Sequence, residues 1–184
     1  MKPLLHILIV VLGIVVTGVA AADQNAAELD GLFARLQQVE SPSEAERITR
    51  RIWVLWRRTD DEAVASAMEQ GAQALADEQY KRAEDLYDEV IARAPDYAEG
   101  WNKRATVRYL RGDYSGSAAD IRRALTLEPR HFGALSGLGL VYMEIGRQAA
   151  ALDAFRSALE INPFLDGVRR NIEMIRKRMD EGNT

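Results

Sequence analysis

The sequence contains no cysteine and only two histidines, His6 and His131. Without cysteine it has no disulfide framework, no thiolate zinc site and no cysteine nucleophile. It also lacks a glycine-rich phosphate loop, a His-Glu-x-x-His pair and a nucleophile elbow. His131 follows Pro129 at a predicted turn, where a histidine usually caps a helix or makes a local hydrogen bond. The sequence therefore predicts no catalytic residue, no cofactor and no metal site.

Positive charge is also in short supply. The 24 basic residues are outnumbered by 28 acidic ones, and the net charge is −4. Because nucleic-acid binding needs lysine and arginine clustered over a large face, nucleic acid is not an expected partner. The hydrophobic share of 47% and the chain length are those of one globular domain with a buried core.

The longest apolar run lies at the N-terminus. Met1-Lys2 precedes the apolar stretch from Leu4 to Val19, and Ala20-Ala21-Ala22 has the small-x-small pattern that signal peptidases cut. This predicts a signal peptide over residues 1–22 and an exported protein, periplasmic or secreted, with no stable membrane insertion after cleavage. The alternative is an uncleaved N-terminal membrane anchor, although the run is shorter than the ~20 residues that a spanning helix needs.

A period of 34 residues runs through the rest of the chain, marked by Pro95, Pro129 and Pro163. Positions 34 residues apart form columns of like residues. Small residues in two of these columns would let two antiparallel helices approach closely, and larger residues in another would fill the space beside them. Each unit is therefore predicted to be a helix pair. The columns are Gly71, Ala105 and Gly139; Ala83, Ser117 and Ala151; Tyr87, Ile121 and Phe155; Val90, Ala124 and Ala158.

These columns resemble the tetratricopeptide repeat. The resemblance covers three units, residues 64–97, 98–131 and 132–165. It implies an all-α fold, a right-handed superhelix of antiparallel helix pairs in which each unit contacts its neighbours. The third unit is nearest the family pattern, with Leu135, Leu138, Gly139, Tyr142, Gly146, Ala151, Phe155, Ala158 and Pro163.

The two flanks of the repeats also have helical patterns. Residues 23–63 predict an N-terminal helical hairpin, because Ser41 and Glu44 match a capping pattern and apolar residues recur on one face of each helix. We expect Trp53 and Trp56 to pack on the neighbouring unit rather than to form a ligand platform. Residues 166–184 predict a C-terminal capping helix with an apolar stripe and a charged outer face.

The resemblance implies a binding groove. In this family the first helix of each pair lines a concave groove that takes up peptide or helical segments of a partner protein. For the methionines, Leu75 and Tyr109, packing against the adjacent unit is an equally good explanation. The groove positions implied are Met68, Leu75, Glu99, Asn102, Thr106, Tyr109, Ser136, Leu140 and Met143.

Part of the family clamps a C-terminal carboxylate with basic and amide side chains at fixed groove positions. We expect no binding of chaperone tails here, because those positions mostly hold residues of other types. They are Met68, Ala72, Lys103, Gly133 and Gly137.

Arg104, Arg108 and Arg111 recur at helical spacing in the second unit. Arg104 stands where the third unit has Leu138, and Arg108 where it has Tyr142. Two explanations remain open. In one, the arginines dock an acidic segment of a partner. In the other, they pair internally with carboxylates of the preceding helix, Glu84, Asp85, Asp88 and Glu89.

The expected function is that of a non-enzymatic, monomeric scaffold or adaptor that holds a protein segment in its groove. The alternative class is a binder of a small molecule or a cell-envelope polysaccharide. Such a ligand would need a closed pocket, which an open array of three units seldom provides.

The N-terminal pattern gives a direct prediction: the mature chain begins near Asp23 and leaves the cytoplasm. N-terminal sequencing of the protein purified from its native host should give this start. Recovery of an intact Met1 end from a cytoplasmic fraction would contradict both the cleavage and the export.

Overall fold

The computed structural model describes residues 20–181, with side chains from residue 27 onward. Residues 1–19 of the predicted signal peptide and 182–184 of the predicted tail lie outside the described residues. Within the described range no helix is both long and apolar enough to cross a membrane. That range is all-α, with nine helices: α1 (Ala20–Leu36), α2 (Pro42–Trp56), α3 (Glu62–Ala76), α4 (Tyr80–Arg93), α5 (Ala98–Leu110), α6 (Tyr114–Leu127), α7 (Phe132–Glu144), α8 (Gln148–Ile161) and α9 (Asp166–Glu181).

Helices α3 to α8 form the three predicted antiparallel pairs, α3 with α4, α5 with α6 and α7 with α8. The small columns lie where the helices of a pair meet. A Cβ atom on Gly71 would lie 2.6 Å from Cε1 of Tyr87, and one on Gly139 would collide with the ring of Phe155. The predicted close approach of small and large residues is confirmed, and it fixes how tightly each pair can pack.

Each pair turns through a residue in the left-handed backbone conformation. Gly112 and Gly146 have φ values of 79° and 74°, which glycine adopts without strain because it has no Cβ. Glu78 takes the equivalent place in the first unit with a φ of 57°. The residue after each donates its N–H to a carbonyl oxygen five residues earlier, as Asp113 does to Arg108 at 2.9 Å.

The hairpin of α1 and α2 does not stack in front of the first unit. It lies along the edge of the solenoid where the chain passes from one unit to the next. Asn162 Nδ2 donates to Thr49 Oγ1 at 3.1 Å, and Gln37 Nε2 donates to the carbonyl oxygens of Glu160 and Ile161, both at 2.8 Å. The N-terminal hairpin thus contacts the C-terminal end of the repeat array.

The tryptophans of α2 pack on the start of α7. The ring centroids of Trp53 and Trp56 lie 5.5 and 4.9 Å from that of Phe132, which is buried in one cluster with Phe33 and Ile52. The expectation that both tryptophans pack on a repeat is confirmed. The contact lies at the junction of the second and third units, on His131 and Phe132, however, and not on the neighbouring first unit.

The outward face of α3 explains why the hairpin folds back. Gln73 occupies a column that holds Val107 in the second unit and Val141 in the third, and both valines are buried against the preceding unit. Gln73 is exposed instead and donates to Asp77 at 3.0 Å, while Gln70 donates to Ser66 at 3.1 Å. Packing the apolar hairpin on this polar face would bury little apolar surface and would remove water from polar groups.

Helix α9 closes the other end of the array, as predicted. Val168, Ile172 and Ile175 are buried in one cluster with Leu152 and Phe155 of α8. The outer face of α9 is charged apart from Met174 and Met179, which are 40% and 42% exposed. The helix therefore covers the apolar side of the third unit and gives the array a mostly polar end.

Replacement of Ile175 by alanine tests this cap, because its side chain is fully buried. We expect Ile175→Ala to lower the free energy of unfolding by about 2–5 kcal/mol through lost packing. The matched control is Met174→Ala on the exposed face, expected to change it by less than about 0.5 kcal/mol. Equal effects of the two substitutions in chemical denaturation would contradict a capping role for α9.

Candidate binding groove

The first helices of the three pairs place the predicted groove residues at different depths. Thr106 is exposed, and six others are partly buried: Met68, Leu75, Tyr109, Ser136, Leu140 and Met143. Met68 and Leu75 pack beside the buried Tyr87, and Met143 packs beside the buried Phe155. These three side chains thus pack within their own units and remain partly exposed to solvent.

Glu99, at 1% exposed, does not line the groove as predicted, and Asn102, at 8% exposed, reaches it only at the cavity described below. Asn102 Nδ2 donates to Glu99 Oε2 at 2.8 Å, and His131 Nε2 lies 3.0 Å from the same oxygen. Lys103 Nζ lies 3.2 Å from Glu99 Oε1 but outside hydrogen-bond geometry. The prediction of partner contact is corrected for Glu99, which forms a buried polar cluster with His131 and Asn102 below the groove.

The hydrogen bonds of His131 fix its tautomer. Nδ1 accepts the backbone N–H of Ala134 at 3.1 Å and so caps α7, as expected for a histidine at this turn. The ring proton therefore sits on Nε2 and is donated to Glu99. Burial alone would raise the pKa of Glu99, but the bonds from His131 and Asn102 and the charge of Lys103 hold it below its ordinary value. The carboxylate stays ionised although it is buried.

The hairpin covers this cluster. The indole of Trp56 stacks on the imidazole of His131, with ring centroids 4.1 Å apart and an interplanar angle of 12°. Trp53 meets the same imidazole edge-on at 5.5 Å, and the ammonium of Lys103 lies 5.9 Å from the centroid of a Trp53 ring. Because the imidazole and the carboxylate are both fully buried, they are closed to a substrate.

What remains open is a small cavity between α5 and α7, about 70 Å³ in volume. Its floor is Ser117 and Ile121 of α6. Four of the predicted groove residues, Asn102, Thr106, Tyr109 and Leu140, are among its walls. The full lining is Asn102, Ala105, Thr106, Tyr109, Ser117, Ile121, Gly133, Gly137 and Leu140.

Hydroxyl groups around the cavity already have partners. Thr106 Oγ1 donates to the carbonyl oxygen of Asn102 at 3.0 Å, and Ser136 Oγ donates to that of Phe132 at 2.7 Å. Tyr109 donates to Glu144 Oε1 at 3.3 Å. The hydroxyl oxygens of Thr106 and Ser136 are therefore left as acceptors, which suits a ligand that brings N–H groups.

Arg104 is tied to two carboxylates. Its Nε and Nη2 donate to the two oxygens of Asp120 at 2.8 and 2.7 Å, and Nη1 donates to Asp88 at 2.6 Å. The hydrogen bonds to Asp120 raise the pKa of Arg104 above its ordinary value. The side chain of Asp120 is 3% exposed, so this is a largely buried, bidentate ion pair.

Arg108 and Arg111 extend the same network. Arg108 donates to Glu84 and to Asp120, both at 3.0 Å, and Arg111 donates to the other oxygen of Glu84. Internal pairing with Glu84 and Asp88 is one of the two explanations that the sequence left open, and the structure shows it for all three arginines. The anionic docking site would have to compete with these carboxylates. Asp120 was not foreseen as a partner.

No cluster of three or more histidine, aspartate or glutamate side chains that could hold a metal ion occurs between residues 20 and 181. The buried Glu99–His131 contact was missed at the level of sequence, although one signal for it exists. In the 34-residue frame Glu99 stands in a column with Ala65 and Gly133. A carboxylate in a column of small residues indicates a special local partner.

Comparison with known proteins gives consistent matches. The model of the tetratricopeptide repeat family matches residues 68–127 and 103–166. A TPR repeat-containing protein of Rhizobium etli is 32% identical over 164 residues, which are 89% of this chain and 80% of that protein. A heat-shock protein cognate co-chaperone of Aspergillus fumigatus is 27% identical over 116 residues, but the match spans only 34% of its length.

One of the similar solved structures is the first TPR domain of Spaghetti (RPAP3) bound to the HSP90 peptide SRMEEVD. It superposes with a TM-score of 0.63 at 17% identity and covers 66% of this chain and 97% of that chain.

Replacement of Arg104 tests the ion-pair network. Arg104→Ala would leave the buried Asp120 with Arg108 alone, so we expect a loss of about 3 kcal/mol, or roughly 6–12 °C in melting temperature. The exposed Arg122→Ala is the control and should change the melting temperature by about 1 °C at most. An unchanged melting temperature for Arg104→Ala, together with weaker binding of a partner, would favour the docking explanation instead.

Proposed function

The chain belongs to the tetratricopeptide-repeat family, and we propose that it is a non-enzymatic scaffold that holds a segment of another protein in its concave groove. The observation that carries the proposal is the cavity between α5 and α7, whose walls include Thr106, Tyr109 and Leu140. Similar structures support it, since one of these domains holds a peptide.

The chemistry of the groove argues against the chaperone tails that such relatives bind. The peptide SRMEEVD ends in acidic residues and a carboxylate. Of the five clamp positions only Lys103 is basic, and its charge faces the carboxylate of Glu99 at 3.2 Å. An acidic tail would have to compete with a buried internal anion, so we propose a different partner.

The size of the cavity argues against a small molecule or a polysaccharide bound in the groove. Sites for such ligands usually measure ~300–1,000 Å³. The cavity in the groove has about 70 Å³, which suits a single side chain of a protein segment.

Two further features complete the proposal. We place the scaffold outside the cytoplasm, in the periplasm or secreted, on the strength of the pattern in residues 1–22. We propose a monomer, because the outward face of α3 carries Ser66, Gln70 and Gln73 and that of α9 is mostly charged, so that among the described residues neither end of the array offers a large apolar surface to a second copy.

A matched pair of substitutions tests the use of the groove. Thr106 and Thr126 are both exposed, and each donates its hydroxyl to the carbonyl oxygen four residues earlier, at 3.0 and 2.8 Å. Only Thr106 borders the cavity. Because an arginine there would block the groove, Thr106→Arg should abolish partner capture and Thr126→Arg should retain it.

The measurement is capture from the exported fraction of the native host with the tagged chain from residue 23, followed by mass spectrometry. Both variants should keep the wild-type melting temperature to within about 2 °C. A partner that Thr106→Arg captures as well as wild type would argue against binding in the groove.

A further inference from the structure

The groove is closed at one end by the hairpin. The six-membered ring of Trp53 packs on Gly133, so closely that a Cβ atom there would lie 2.6 Å from Cη2 of the indole. Gly133 also lines the cavity. A segment lying in the groove therefore cannot continue across Gly133 to the edge where the unit turns lie. The first helices and Trp53 together form a slot with one blind end.

The cavity at this blind end accepts a small side chain. Apolar cavities of ~150 Å³ hold a benzene ring, and this one, at about 70 Å³, has roughly half of that volume. The room exists because Gly137 lacks a side chain on the α7 wall. A Cβ on Gly137 would meet only Ile121 Cδ1, at 3.5 Å. An aliphatic group of valine or alanine size fits, whereas an aromatic ring does not.

The walls of the cavity carry no full charge. Of the residues that line it, only Tyr109 can ionise, and its hydroxyl is bonded to Glu144. The neighbouring cation, Lys103, faces Glu99. An acidic side chain or a chain-terminal carboxylate placed here would lose its water without gaining a counter-charge. For a basic side chain the anion next to the lining is Glu144, which is exposed and already accepts from Tyr109. The acceptor oxygen of Thr106 instead suits a backbone N–H.

We propose that this slot takes an uncharged internal segment of a partner protein, anchored by one short aliphatic side chain in the cavity between α5 and α7. Trp53, which is outside the repeats, blocks the groove at Gly133, so the bound segment must end or leave the groove there. The inference rests on the proposed function, since it specifies the chemistry of the partner that the groove holds.

Selection from a displayed library of random peptides on the full mature chain tests the chemistry. Enriched peptides should share an alanine- or valine-type anchor flanked by uncharged residues, with no preference for an acidic C-terminus. Their affinity is then measured for Gly137→Ala and Gly137→Val, which fill the cavity stepwise without a backbone clash. Gly31→Val is the control, because a Cβ at Gly31 on α1 meets nothing within 4 Å.

Gly137→Val should weaken peptide binding about tenfold or more, because its three added carbons fill the space that the anchoring side chain needs. Gly137→Ala should weaken it less, and Gly31→Val should leave it unchanged. All three should melt at or above the wild-type temperature, since each replaces a glycine within a helix.

Two other outcomes separate the two proposals. Peptides whose binding is lost in Thr106→Arg but unchanged in Gly137→Val, or peptides anchored by acidic or aromatic residues, would overturn the aliphatic slot and leave the groove in place. A selection in which no peptide responds to Thr106→Arg would overturn the proposed function, and the slot with it.

Discussion

The buried contact between Glu99 and His131 joins parts of the molecule that chain order keeps apart. Glu99 comes from α5, His131 from the turn before α7, and Trp56 of α2 stacks on the imidazole. A carboxylate is stable in such a place only because hydrogen bonds replace its water. The hairpin completes this shelter by covering the imidazole. The position of α2, the start of α7 and the closed end of the groove therefore depend on the same few atoms.

The two interfaces between successive units use different physics. The second and third units meet through apolar side chains, among them Leu138 and Val141. The first and second units add a network in which Arg104 and Arg108 reach carboxylates of α4. Ion pairs are directional and lose strength at high ionic strength in their exposed parts, whereas apolar packing is not weakened in this way. The interface of the first and second units therefore depends more on charge than that of the second and third, where hydrogen bonds from Tyr109 and Tyr114 to Glu144 accompany the apolar packing.

The fold follows from the sequence wherever neighbours along the chain decide it. Repeated columns such as Gly71 and Gly139 describe contacts within one helix pair, so three pairs and a capping helix could be predicted. The site of the hairpin could not be, because no local pattern links Trp53 to Gly133 across the chain. Glu99 was misplaced for a related reason. Its position in the repeat indicates the groove, and only the long-range partner His131 shows why it is buried.

The contacts of the hairpin also have a consequence for the order of folding. Gln37 bonds to Glu160, 123 residues further along. At a synthesis rate of ~5–20 residues per second, that surface appears about 6–25 s after the hairpin. The indoles of α2 pack on His131 and Phe132, which follow Trp56 by about 4–15 s, and until then they have only α1 to pack on. The repeat units can fold one after another through contacts that are local in sequence, but the hairpin can dock only after the third unit has been made. Its docking then joins the N-terminal segment to the last repeat through contacts that are distant in sequence.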